Sequence, residues 1–213
     1  MASTLKMPAV VPAGESAFRV KGLVYQGLAE YFDKRLPGGN DAVLARAGRE
    51  DASGSLARFL TTPFVPGSWY DALPLATLTE AGARVRGVTH AKVVREAAAH
   101  LARRDLSGVY RAMLLNAHPQ ALVIRLPGLS LRYFDFGDAD GELVGEQTFV
   151  CRRGGVPDPL AAWFIWAVEG FVPTALSMAG ALDVRVTTNE ARRDSDPGCT
   201  VPTVRLEFRL AWT

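Results

Sequence analysis

Between Pro159 and Ala179 the chain is apolar on nearly every side, with Trp163, Phe164, Ile165, Trp166, Val168, Phe171, Leu176 and Met178 spread around the helical wheel. A helix of that kind must be buried inside a domain or against a second subunit. Asp158 caps it, and Pro159 takes the first helical position, where a missing N–H costs nothing. Gly180 is placed to close it, and Pro173 should kink it. Glu169, Gly170 and Pro173 interrupt the apolar stretch from Leu160 to Leu182, so the reading assigns it to a domain core and predicts no transmembrane segment.

The segments on either side of this helix have strand periodicity. After it, Leu182–Thr188 and Val204–Leu210 alternate apolar and polar residues, with Arg205, Glu207 and Arg209 facing solvent. Before it, Leu131–Phe136 is aromatic and strand-like, Gly137–Gly141 is a turn signal, and Leu143–Cys151 can return as a second strand. The C-terminal half thus reads ββαββ. The N-terminal half reads as helices over Gly22–Leu36, Asp41–Arg49, Tyr70–Arg86, Thr89–Arg104, Leu106–Asn116 after a break near Asp105, and Pro119–Leu126. Thr61–Trp69, with two prolines and a glycine, reads as a loop. The fold class is α+β, with N-terminal helices packed on a four-stranded antiparallel sheet. Residues 1–17 are expected as a flexible tail and 18–213 as one domain.

Charge excludes one class of partner. With 24 Lys and Arg against 22 Asp and Glu, the net charge of +2 gives no basic footprint for nucleic acid. Only two cysteines occur, Cys151 and Cys199, which is no disulfide framework. No secretory h-region opens the chain, and the expectation is a cytoplasmic protein with reduced thiols.

Several short motifs occur in order: Ser68-Trp69-Tyr70, Gly108-Val109-Tyr110-Arg111, Arg132-Tyr133-Phe134-Asp135, Pro157-Asp158-Pro159 and Asp196-Pro197-Gly198-Cys199. Together they resemble an uncharacterised family of proteins of about this length found largely in myxobacteria. That family is distantly similar to a fold shared by four-vinyl-reductase-type sensor domains, haem nitric-oxide sensor domains and the small Golgi-transport (TRAPP-like) tethering subunits. The resemblance implies helices packed on a four-stranded antiparallel sheet. It does not assign a function, because this fold hosts sensors, lipid-pocket proteins and scaffolds.

The chemistry-bearing residues argue mostly by exclusion. Cys151 and Cys199 lack the clustered spacing of a zinc site. A haem sensor needs an axial ligand; His90, His100 and His118 are the candidates, each read as a surface or cap residue, and the Tyr-x-Ser-x-Arg motif of the haem sensors is absent. No nucleophile elbow, P-loop or dinucleotide fingerprint is present. Asp135, Asp138, Asp140 and Glu142 read as a solvated hairpin tip without calcium-loop spacing. The pairs Arg152-Arg153 and Arg192-Arg193 read as surface charges. No catalytic residue, metal ligand or cofactor is assigned.

The remaining signal is aromatic. Trp69, Tyr110, Trp163 and Trp166 are the candidate ligand-binding residues, because aromatic walls suit a small-molecule pocket. Such residues suit a subunit interface or plain core packing as well. The reading is a non-enzymatic small-molecule sensor or carrier with an apolar pocket, binding a hydrophobic molecule and acting through a partner protein. The alternative is a homodimeric interaction or scaffold module that binds no ligand. An unrecognised enzyme would need a polar constellation such as Tyr110, Arg111 and His118.

Overall fold

Local stop signals divide the first half of the chain, and burial then orders the helices between them. The computed structural model describes residues 11–114, 118–189, 191–194 and 200–213. Helix α1 (Gly22–Arg35) ends as Leu36 turns extended ahead of Pro37. Helix α2 (Gly39–Glu50) follows Gly38, which holds a left-handed φ of 72° that glycine adopts without steric cost. Helix α3 (Ser55–Leu60) is short, and α4 (Pro74–Arg86) stops at Gly87. Helix α5 (His90–Ser107) starts at Thr89, whose hydroxyl accepts the Lys92 N–H at 3.3 Å. A 3₁₀ turn over Arg111–Met113 and helix α6 (Pro119–Tyr133) complete this half.

The break expected near Asp105 does not occur. Helix α5 continues through it because the buried Asp105 carboxylate is satisfied by Arg104 Nε and the Tyr133 hydroxyl, each at 2.6 Å. The helix expected over Leu106–Asn116 reduces to the end of α5 and the 3₁₀ turn, and residues 115–117 lie outside the described residues. Helix α6 runs through Pro127 to Tyr133 because Leu122, Val123, Leu126, Leu129 and Tyr133 bury one side of it. It absorbs half of the segment expected as a strand over Leu131–Phe136, where a single bridge joins Phe134 to Val20.

The first hairpin is therefore displaced along the chain. It consists of β3 (Ala139–Gly145) and β4 (Thr148–Pro157), turning at Glu146 and Gln147 and not at Gly137–Gly141. Helix α7 (Asp158–Met178) follows, then β5 (Arg185–Thr188), the two-residue β6 (Arg192–Arg193) and β7 (Thr203–Ala211). The strand order is β3-β4-β7-β5, all antiparallel, with β6 pairing the first half of β7. This is the expected α+β architecture with its ββαββ half. The turn expected over Asp196–Cys199 lies outside the described residues. Register pairs Phe149 with Leu210, Cys151 with Phe208 and Arg153 with Leu206, so these six side chains share the inner face of the sheet.

Helix α7 is the central packing element. By length and composition it is also apolar enough to cross a membrane, Glu169 and Pro173 notwithstanding. Here it packs on α5: Glu169 pairs with Arg95 at 2.6 Å, and Gly170 lets the two backbones meet. Away from the main sheet, β1 (Arg19–Lys21) and β2 (Trp69–Asp71) form a two-stranded ribbon inside regions expected to be irregular or helical. The last residues of the stretch expected as a flexible lead-in are tied down there. The Gly14 and Ser16 N–H groups donate to buried Asp71 Oδ2 at 2.8 and 3.1 Å.

Candidate functional site

Small residues on α5 and large ones on α7 leave a gap between the helices and the sheet. Ala97 and Ala98 of α5 face Trp163, Phe164 and Phe171 of α7 across it. Leu126 and Leu129 of α6 close one side, and Cys151, Phe208 and Leu210 of the sheet form the floor. The resulting cavity has a volume of about 130 Å³ and walls that are almost wholly apolar. A second hollow, about 270 Å³, lies between α1, α2 and the segment after α3, where Asn40, Thr61 and Thr62 mix with Tyr25 and Phe64. It is the larger of the two, but no buried unpaired polar atom among the described residues belongs to its lining.

The apolar cavity does have such atoms. Arg153 Nε, Trp163 Nε1 and Ser130 Oγ are buried without a hydrogen-bond partner among the described residues, and all three residues line it. Arg153 is 2% exposed and Trp163 is 6% exposed. Arg153 Nη1 donates to the Asp138 carbonyl at 2.7 Å, and Nη2 donates to the Phe136 carbonyl. Its guanidinium stands over the rings of Phe136 and Phe164. The Asp138 carboxylate turns the other way, bridging both terminal nitrogens of Arg205 at 3.0 Å. Burial pulls the Arg153 guanidinium down to about 10 and pushes the Cys151 thiol up to about 11. Tyr133 is raised well above its ordinary range, first by burial and then by the neighbouring Asp105 charge.

Of the four aromatic candidates, the structure places Trp163 alone in this wall. Trp166 lies on the same helix but turns toward α5, where its ring meets His90 edge-on at 5.1 Å. Tyr110 sits behind the wall, its ring edge-on to Tyr133 at 5.5 Å. Trp69 is on the separate ribbon, 40% exposed, with Lys21 Nζ 3.8 Å above its ring. The local aromatic pattern did not distinguish inward from outward rings at these positions.

None of the three histidines lines the cavity. His90 Nε2 bonds Thr79 Oγ1 at 2.8 Å, His100 Nε2 lies 3.4 Å from Glu30, and His118 caps α6. Among the described residues no cluster of three metal-ligating side chains forms. The acidic hairpin residues are held by arginines: Asp140 and Glu142 pair with Arg152, and Asp138 with Arg205. The polar constellation of Tyr110, Arg111 and His118 does not assemble at the cavity.

Arg153 is the residue that the surface reading of Arg152-Arg153 missed. Alternation along β4 sends the two arginines to opposite faces, with Arg153 following Phe149 and Cys151 inward. The inward-facing Phe149 two pairs upstream was the available signal. Arg192 and Arg193 remain exposed on β6.

No family model matches the sequence. No curated protein matches it either. Solved structures do match in shape. An H-NOX structure from a study of haem distortion superposes with a TM-score of 0.63 at 11% identity, covering 91% of this chain and 95% of its own. An oxygen-binding H-NOX domain related to soluble guanylate cyclases gives 0.59 at 11% identity, covering 90% and 92%. A variant of the T. tengcongensis H-NOX gives 0.60 at 12% identity, covering 89% and 95%. This likeness lends nothing to membership of the myxobacterial family, nor to the vinyl-reductase and Golgi-tether folds. What helices, sheet order and superposition establish together is that this chain has an H-NOX-like fold.

Proposed function

We propose that this domain is a non-enzymatic sensor or carrier that holds a small apolar molecule between its helices and sheet and acts through a partner protein. One observation supports it above the rest: the 130 Å³ apolar cavity has α7 as a wall, so its contents touch the helix that links the sheet to α5. Occupancy would bias the packing of α7 on α5 and so the surface a partner reads, a population shift. Trp163 is the aromatic residue we assign to ligand contact. The non-enzymatic reading is supported by the wall chemistry, since Cys151 stays a protonated thiol at neutral pH and the Tyr133 hydroxyl is committed to Asp105. A cytoplasmic setting, which this reading includes, would keep that thiol reduced.

The H-NOX structures concern haem, and the residues here do not fit it. The cavity lining contains no histidine, Cys151 is held protonated by burial, and Tyr133 donates to a carboxylate. The space is also near the roughly 150 Å³ of an engineered cavity that takes up benzene, and a four-pyrrole macrocycle is several times that size. The reading therefore keeps the fold and assigns the cavity a smaller occupant.

The test is native mass spectrometry of freshly purified protein, with a denatured spectrum of the same sample, followed by melting against a set of small hydrophobic ligands. A mass excess lost on denaturation, or saturable stabilisation, is expected. A protein that carries nothing and is stabilised by none of the set would overturn the reading. The homodimeric scaffold is favoured by one feature: Ile165 and Trp166 of α7 stay partly exposed on an otherwise apolar helix. A dimer in solution without any retained ligand would move the assignment there.

A further inference from the structure

We infer that the cavity binds a small apolar monocarboxylate, with its head group received by Arg153, Trp163 and Ser130 and its hydrocarbon body between α5 and α7. The inference rests on the ligand-binding reading above and names the chemistry that reading leaves open.

The argument starts from the three unpartnered atoms. Arg153 Nε–H and Trp163 Nε1–H can only donate, and the Ser130 hydroxyl donates or accepts. Native interiors leave few buried polar groups unpaired, and each exception calls for a physical reason. In this chain two donors that are more than nine-tenths buried line the same cavity as a third unpaired group. What completes such a set is an acceptor, and we assign it to the ligand, because no Asp or Glu among the described residues lines the cavity.

Charge narrows the acceptor to an anion. Among the described residues no carboxylate is bonded to the buried Arg153 guanidinium: its two terminal nitrogens rest on main-chain carbonyls, and Asp138 is taken by Arg205. A buried cation without a bonded counter-charge is costly, and burial already draws its proton affinity down. One guanidinium neutralises one negative charge, and among the described residues no second cation lines the cavity. A phosphate dianion would remain half-compensated beside Asp138. A carboxylate matches both the charge and the planar geometry of the arginine. Volume then limits the body to a short chain or a single ring.

The experiment compares sodium hexanoate with hexanol on the full chain, reading thermal stabilisation and NMR shifts of the tryptophan indole N–H groups at neutral pH. Saturable binding of hexanoate is expected, with hexanol weaker by about tenfold, the scale of a hydrogen bond to a charged group. Arg153→Gln should erase that preference while hexanol binding persists. Should Arg153→Gln fail to fold, Trp163→Phe, which removes the donor and keeps the ring, should narrow the preference by several-fold. Equal binding of hexanoate and hexanol would overturn the head-group assignment and leave the cavity reading standing. Equal stabilisation by sodium chloride at matched ionic strength would assign the donors to an inorganic anion and overturn it too. Binding of neither organic probe would remove the cavity reading along with it.

Discussion

Gly170 of α7 meets the main chain of α5 at Arg95, so closely that a Cβ on Gly170 would lie 2.1 Å from the Arg95 carbonyl oxygen. The contact fixes where the two helices cross and hence the width of the cavity between them. Gly170→Ala cannot be absorbed by a side-chain rotation, because the obstructing atom is backbone. A loss of about 1–3 kcal/mol is expected, the usual cost of overpacking. Urea denaturation followed by circular dichroism should show a lower midpoint with an unchanged slope; an unchanged midpoint would mean that the helices separate freely here.

The buried Asp105 carboxylate joins α5 to α6 through the Tyr133 hydroxyl at 2.6 Å, while Arg104 holds its other oxygen at 2.6 Å. Tyr133→Phe strips one partner from a buried charge and should cost about 1–3 kcal/mol. Combined with Asp105→Asn, the loss should fall short of the sum of the single variants, because both belong to one network. Strict additivity in chemical denaturation would show that the bond contributes nothing.

Acid sensitivity should set in while carboxylates are still ionised. Burial holds both His90 and His100 below the ordinary imidazole value of 6.5. The unfolded chain therefore takes up these protons first as pH falls. Stability from the neutral imidazoles is complete above about pH 6.5 and is lost as pH drops through the lower folded values. A His90→Gln, His100→Gln double variant should lose less stability between pH 7 and 5 than the parent chain. Parallel profiles for the two proteins would rule out this origin.

Thr89 and Pro159 were readable because caps and first-turn prolines act over three or four residues. The alternation of β7 was readable for the same reason. What escaped depends on partners distant in the chain. Helix α6 passes Pro127 because its buried side packs on the rest of the fold, and the hairpin slid toward Glu146 once α6 had claimed Leu131–Tyr133. The three-residue strands β1 and β2 pair with each other across some fifty residues of chain, and β1 is bridged to Phe134 farther still along it. The inward turn of Arg153 was hidden by its neighbour: two adjacent arginines look like one basic patch until a strand separates them.

Cys151 offers a direct probe of the cavity. With its thiol raised to about 11, the reactive thiolate should be scarcer than in a free cysteine by roughly a hundredfold at neutral pH. In a Cys199→Ser background, modification by a disulfide reagent should be slow by about that factor. Hexanoate in the cavity should slow it further. Modification at the rate of a free thiol would show that the wall opens readily.

Arg153 hangs from the carbonyls of Phe136 and Asp138, which belong to the peptide chain whatever side chains those positions carry. The anchor of the positive charge is therefore independent of the residues that shape the space around it. Substitutions at Ala97, Ala98 or Phe171 can lengthen, widen or bend the chamber while the charged end stays where it is. A scaffold arranged this way can be re-tailored to a series of molecules that differ in their bodies and share a head.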